Sequence, residues 1–146
     1  MRVIEHTTHI AADATAIYDI IVDIESYDEW NPFNPGGRGT PQVGGPLITI
    51  TADLAGRRLD VQHKILEMVP GRAFKWCDTG AFTYFAYGER GRYMEPSAEG
   101  GTDYRVRLEI SGILAWLAYA MFGSAMEEGV VAETDALKRR AEARTA

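Results

Sequence analysis

Residues 112–140 read as one long helix, and its first half is apolar on every side. Ile113, Leu114, Ala115, Trp116, Leu117, Ala118, Tyr119, Ala120, Met121 and Phe122 follow one another without a charge. The second half is amphipathic. Met126, Val130, Leu137 and Ala141 fall at helical spacing, with Glu127, Glu128, Glu133, Lys138 and Arg139 assigned to the other faces. A helix that is apolar all round must be covered on more than one side. The run is too short to span a bilayer, which takes about 20 apolar residues. The rest of the chain, a ligand or a second copy must therefore cover it.

A chain of 146 residues is most simply one domain, residues 1–146. Such a chain buries roughly 70% of its unfolded surface, enough for a true core. The formal charge of −6 argues against a nucleic-acid partner, which requires a basic stripe. It also disfavours general attraction to anionic membranes, and stable membrane insertion is not expected. Arg57-Arg58 and Lys138-Arg139-Arg140 are local basic spots, read as a solvated face and a helix C-terminus that complements its dipole. Cys77 is the only cysteine, so no internal disulfide forms. The N-terminal residues have no signal-peptide pattern, and a cytoplasmic location is the expectation.

Residues 2–10 are rich in β-branched side chains and predict a strand. His6 and His9 fall on opposite faces of it, so they cannot share a metal, and no metal site is expected. Ile17, Ile20, Ile21 and Ile24 then recur at helical spacing, with Asp13 as N-cap. A second short helix follows over residues 23–29, capped by Ser26, and ends before Pro32. Residues 34–45 are rich in proline and glycine and read as a loop, either a lid or a plain connection. Strands are predicted over residues 47–52, 59–65, 74–77, 82–94 and 104–110. Turns lie at Pro70-Gly71 and Gly100-Gly101. The order is strand, two short helices, five strands and a long helix. Short, turn-linked strands pair antiparallel, and the long helix is the one element able to cover the sheet's apolar face, an α+β architecture.

That order, with Tyr27-Asp28-Glu29-Trp30-Asn31-Pro32-Phe33 after the first helix, resembles the START-like or Bet v 1-like superfamily (SRPBCC), the polyketide cyclase/dehydrase and lipid-transport group. Val43-Gly44, Val69-Pro70-Gly71-Arg72, Glu95-Pro96 and the final strand ending at Ser111-Gly112 fit the same pattern over nearly the whole chain. The resemblance implies a helix-grip fold, a curved antiparallel sheet of about seven strands around the C-terminal helix, with a cavity for an apolar ligand between them. Six strands are evident from the residues themselves. The seventh is expected from dividing the aromatic segment near Gly88. The resemblance does not select a function, because the superfamily includes carriers and cyclases, and fold does not dictate activity.

No zinc-protease motif, cysteine pair, phosphate loop or nucleophile elbow is present, and no cofactor is expected. Gly36-Gly37-Arg38-Gly39 precedes no helix, which excludes a phosphate cradle. His63 shares a strand face with Leu59, Val61 and Ile65, and is the candidate acid/base. Arg90 and Arg92 share a face with Tyr84 if their strand is regular. A bulge at Gly88 or Gly91 would bring Glu89 and Tyr93 there instead. An inward arginine, Arg92 above all, would hold a carboxylate or enolate oxygen. An outward one is solvated, and that is the simpler reading. Tyr84, Tyr104 and Tyr119 combine a hydroxyl with an apolar body. Trp30, Phe33, Trp76, Trp116, Leu117 and Met121 are the candidate contacts for an apolar ligand.

Two functions follow. One is binding of a small hydrophobic molecule, such as a lipid, an isoprenoid or an aromatic polyketide. The other is a cyclase or dehydratase acting in the same cavity. A homodimer through Trp116, Tyr119 and Phe122 is a third expectation, since one sheet face does not cover the whole apolar run.

Overall fold

A computed structural model describes residues 1–145. Seven antiparallel strands form one sheet: β1 (Arg2–Ile10), β2 (Gly36–Arg38), β3 (Ile48–Leu54), β4 (Arg57–Val69), β5 (Ala73–Asp78), β6 (Tyr87–Pro96) and β7 (Thr102–Ser111). Their order across the sheet is β1-β7-β6-β5-β4-β3-β2. Helix α1 (Ala14–Val22) and a 3-10 helix (Ile24–Glu29) follow β1, and the long helix α2 (Ala115–Thr145) closes the fold. β7 alternates as its sequence predicts, with Tyr104, Val106, Leu108 and Ile110 inward and Asp103 and Arg105 outward. The inner face of the sheet meets α1 through Ile17, Ile20 and Ile21, and meets α2 through Val130, Leu137 and Ala141.

Several local expectations are corrected. The seventh strand does not come from the aromatic segment. It is Gly36–Arg38, inside the predicted loop, paired with Thr49, Ile50 and Thr51 of β3. Three residues, two of them glycine, carry no hydrophobic period, so nothing in their pattern marks a strand. Close packing holds them there instead. A Cβ on Gly37 would stand 2.5 Å from the Ile24 carbonyl oxygen. Residues 82–94 are not one strand. Ala81–Tyr84 is a 3-10 turn, and β6 begins at Tyr87. Asp13 occupies the N-cap position of α1 without a side-chain hydrogen bond, and Ser26 lies inside the second helix rather than capping it.

The chain itself leaves the apolar start of the long helix uncovered: Ile113, Trp116 and Met121 are 73%, 57% and 65% exposed. In the C-terminal half Glu133 is not on an outer face but sits at 2% exposure between Val130 and Leu137. Its position, seven residues after Met126 and four before Leu137, belongs to the buried stripe.

Gly37→Ala is expected to lower stability by about 1–3 kcal/mol, because the added methyl meets backbone and not a movable side chain. Urea denaturation of Gly37→Ala checks this. Gly36→Ala, whose methyl meets only the Thr51 side chain, is the milder control.

Candidate functional site

A cavity of about 320 Å³ lies between the concave face of the sheet and α2. Leu54, Leu59, Val61, Leu108 and Ile110 wall it from the strands, Phe82 and Ala86 from the turn before β6, and Ala118, Phe122 and Met126 from α2. The three helix residues are four apart, so they form one face. Phe82, Leu59 and Phe122 are 52%, 48% and 42% exposed and frame the mouth. At the inner end stand Phe33, Asn34, His63, Asp78 and Arg90.

Behind that inner end is a buried ionic cluster. β6 runs in regular register, Arg90 opposite Trp76 and Leu108, Arg92 opposite Phe74 and Val106. Without a bulge, both arginines face inward, which overturns the solvated reading. Arg92 Nη2 donates to Glu133 Oε1, and Arg90 Nη1 donates to Glu133 Oε2 at 3.3 Å. Asn31 Nδ2 donates to Glu133 Oε1 at 3.1 Å, and Arg90 Nη1 also donates to Asn34 Oδ1. Burial alone would raise the Glu133 carboxyl, but Arg92 and Arg90 hold it below its ordinary value and keep it ionised. The guanidiniums stack on aromatic faces, Arg92 4.4 Å from the Trp76 ring centroid and Arg90 4.6 Å from that of Phe33. Phe33 fits there because residue 129 is glycine, where a Cβ would stand 2.2 Å from its ring. Two guanidiniums against one carboxylate leave one positive charge in excess, and Arg90 Nε, Arg92 Nε and Arg92 Nη1 are buried without an acceptor.

His63 is stacked on Trp76 with ring centroids 5.2 Å apart. Its Nδ1 lies 3.2 Å from the Cys77 carbonyl, which only accepts, so Nδ1 carries the proton and Nε2 the lone pair. Burial, reinforced by Arg90, pushes its pKa down to about 4, so the imidazole is neutral at physiological pH. Asp78 Oδ1 is 3.5 Å from the same nitrogen, and burial raises its carboxyl above the usual range. The arrangement offers an oxygen-bearing ligand a guanidinium donor and an imidazole acceptor. It is a poor setting for acid catalysis by His63 near neutral pH.

Among the candidates named from sequence, Phe33 and His63 line the cavity. Trp76 and Tyr104 are buried one layer behind, and Trp76 supports His63 and Arg92 from below. Trp30 packs edge-on against Tyr27, away from the cavity. Tyr84 is 88% exposed on the 3-10 turn and shares no face with the arginines. Trp116, Leu117 and Met121 point outward, because the cavity-facing stripe of α2 is set by Ala118, Phe122 and Met126. Sequence reading missed Glu133, Asn34 and Asp78. Glu133 was detectable as a carboxylate at a stripe position. Asn34 and Asp78 lie where a loop and a strand end, with no periodic signal.

An α+β helix-grip protein with a half-open apolar cavity and a charged inner end is the class these features define. The sequence matches the family model described as polyketide cyclase/dehydrase and lipid transport over residues 1–142, and the chain belongs to that family. The fold is similar to a START superfamily protein from Mycobacterium smegmatis, with TM-score 0.75 and 19% identity over 96% of this chain and 97% of that one. It is also similar to the Zhui aromatase/cyclase from a Streptomyces species, with TM-score 0.82 and 16% identity over 99% and 96%. A third similar structure is the di-domain aromatase/cyclase StfQ of steffimycin biosynthesis, with TM-score 0.78 and 12% identity over 98% of this chain and 51% of that one. No curated protein matches by sequence.

Glu133→Gln removes the only carboxylate bonded to Arg90 and Arg92 among the described residues and is expected to cost about 3–5 kcal/mol in chemical denaturation. Asp135→Asn, an exposed neighbour, is expected to stay within about 0.5 kcal/mol of wild type. His63 gives a pH signature. Its folded pKa of about 4 lies below its ordinary 6.5, so the unfolded chain takes up the proton first as pH falls. Wild type therefore loses stability from about pH 6.5 down to about 4 relative to His63→Gln, by up to about 3 kcal/mol. Parallel denaturation curves across that window check it.

Proposed function

We propose that this protein binds a small hydrophobic molecule (a lipid, an isoprenoid or an aromatic polyketide-like compound) in the cavity under α2. The observation that carries the reading is the division of the cavity: apolar walls from mouth to middle, polar groups only at the closed end. Its volume of about 320 Å³ is in the range of small-molecule pockets, which run from about 300 to 1,000 Å³. The ligand's apolar body would lie along Leu108, Ile110 and Phe122, with an oxygen toward Arg90 and His63. Charge-assisted hydrogen bonds from Arg90 would orient that oxygen.

A cyclase or dehydratase is the second reading, favoured by the convergence of His63, Asp78 and Arg90 on one end and by the aromatase/cyclases among the similar folds. Against it stands the low basicity of His63. A general base works best with a pKa near the operating pH.

Mass spectrometry of organic extracts from purified protein is expected to reveal a bound apolar compound. Titration with the anionic dye 8-anilinonaphthalene-1-sulfonate is expected to give saturable binding, weakened about tenfold by Arg90→Met through loss of one charge-assisted bond. Ala118→Trp, which fills the mouth, is expected to abolish it. Absence of any co-purified compound, together with dye binding indifferent to Ala118→Trp, would overturn the reading.

A further inference from the structure

The sheet ends at β1, and one side of that strand is open. β1 stands first in the strand order and pairs along its nine residues with β7 alone. In a strand the N–H and C=O of one residue point to the same side, and those of the next residue to the other. The Lys138 ammonium donates to the His9 carbonyl at 2.6 Å, so His9 faces away from β7. The register with β7 is unbroken from Arg2 to Ile10. Val3, Glu5 and Thr7 therefore turn their backbone groups to the open side, as His9 does. Among the described residues nothing in the protein bonds those N–H groups or those carbonyls.

The opposite edge is not open in this way. β2 has only three residues, and beyond it the Asp53 amide donates to the Phe33 carbonyl at 2.9 Å. Long edges are ordinarily blunted by a proline, a bulge or an unpaired charge. Between Val3 and Thr7, β1 has neither proline nor bulge, and its charge, Glu5, is already paired with Arg105 and Arg107.

α2 runs beside this edge without closing it. A groove of about 310 Å³ lies between them, with Val3, Ile4 and His6 on the β1 side and Glu127, Val130 and Val131 on the α2 side. Ile4 and Val130 are buried beneath it, and Val131 is exposed. Glu127 accepts from the Tyr119 hydroxyl, but no lysine or arginine lines the groove.

We propose that this groove takes an extended peptide segment of a partner protein, which adds to the sheet beside β1 and carries a basic side chain for Glu127. A row of alternating donors and acceptors is complementary to another extended backbone, and strand addition uses it in that way. The added strand would lie about 4.8 Å from β1. Its residues opposite Val3, Glu5 and Thr7 would exchange backbone bonds with them. The side chains opposite Ile4 and His6 would point toward α2, an apolar one against Ile4, Val130 and Val131 and a basic one toward Glu127. A second copy suits the edge less well. Two-fold antiparallel pairing of this stretch with itself sets Glu5 opposite its own counterpart and brings a second Glu127 to a groove without a cation.

Amide exchange in the full chain, followed by NMR, tests the edge first. The Ile4, His6 and Thr8 amides, which face β7, are expected to exchange slowly, and those of Val3, Glu5 and Thr7 quickly. The probe is the capped heptapeptide Thr-Val-Thr-Val-Thr-Lys-Thr. It is expected to slow exchange at Val3, Glu5 and Thr7 and to leave Ile4, His6 and Thr8 unchanged. N-methylation of the probe's threonines, whose amides would face β1, is expected to abolish binding. N-methylation of its valines and lysine, whose amides would face away, is expected to preserve it. Thr7→Pro removes one outward amide without touching the β7 ladder and is expected to weaken binding about tenfold. A probe with glutamate in place of lysine is expected to bind less well, and Glu127→Lys to reverse that preference. Slow exchange at Val3, Glu5 and Thr7 in the free monomer would overturn the proposal. So would absence of protection by the probe at millimolar concentration, or equal binding of the two N-methylated probes. Protection that grows with protein concentration alone, with a dimer in light scattering, would overturn it in favour of a second copy.

Discussion

The carboxylate of Glu133 ties the last helix to the middle of the sheet. Taking a carboxylate and two guanidiniums out of water costs several kcal/mol for each ion, and their mutual attraction with well-placed hydrogen bonds must offset it. That condition fixes geometry sharply. α2 must present position 133 to β6, β6 must keep its register so that Arg90 and Arg92 face inward, and Asn31 and Asn34 must sit at the edge to bond Glu133 and Arg90. A slip of one residue in β6 would put Glu89 and Tyr93 inside and strand Glu133 without a partner. The cluster therefore contributes to specificity of pairing more than to net stability.

The cavity follows from where this anchor is placed. Below it, Leu137 and Ala141 are fully buried in the core with the isoleucines of α1. Above it, the side chains facing the sheet are Ala118, Phe122 and Met126, and the strands oppose them with Val61, Leu108 and Ile110. The helix enters from Gly112 beside the Phe85 carbonyl, which accepts from the Leu114 amide at 2.9 Å and ties its start to the turn before β6. The gap is apolar on its flanks because the sheet alternates, and polar at its floor because the floor is the ionic cluster. One arrangement thus produces both halves of an amphipathic cavity.

Much of the architecture was legible in the residues. Period-two alternation in β7 and in the inner part of β4, isoleucines at helical spacing in α1, and turns at Pro70-Gly71 and Gly100-Gly101 all carry local signals that tertiary packing leaves intact. What failed to show was set by tertiary contact. β2 exists because Gly37 can lie against the Ile24 carbonyl, a relation between segments that neither announces. The aromatics at Phe82 and Tyr84 suggest strand by composition, yet the Phe82 carbonyl accepts from both Phe85 and Ala86 and closes a turn. At the site, His63 was found from its apolar strand face. The inward turn of the arginines was undecidable from β6 alone, and it becomes decidable once Glu133 is placed on the stripe of Met126, Val130 and Leu137. A buried anion requires a buried cation, and Arg90 and Arg92 are inward-facing cations at the matching height of the sheet.

The state of His63 couples the floor of the cavity to whatever enters it. Burial is the main cause of its low basicity, and the positive charge of Arg90 adds to it. A ligand anion seated on Arg90 would offset that positive charge and raise the imidazole's affinity for a proton, whereas a neutral ligand would deepen desolvation and leave it unprotonated. The same pocket would thus respond to the charge of its guest by changing its own. For a carrier, the protonated imidazole would donate a hydrogen bond to an anionic ligand, whereas the neutral imidazole would only accept one from a hydroxyl-bearing ligand. For a catalyst it would be the step that brings His63 toward a working basicity. Binding and chemistry are then separated less by which residues are present than by whether the guest brings a negative oxygen to Arg90.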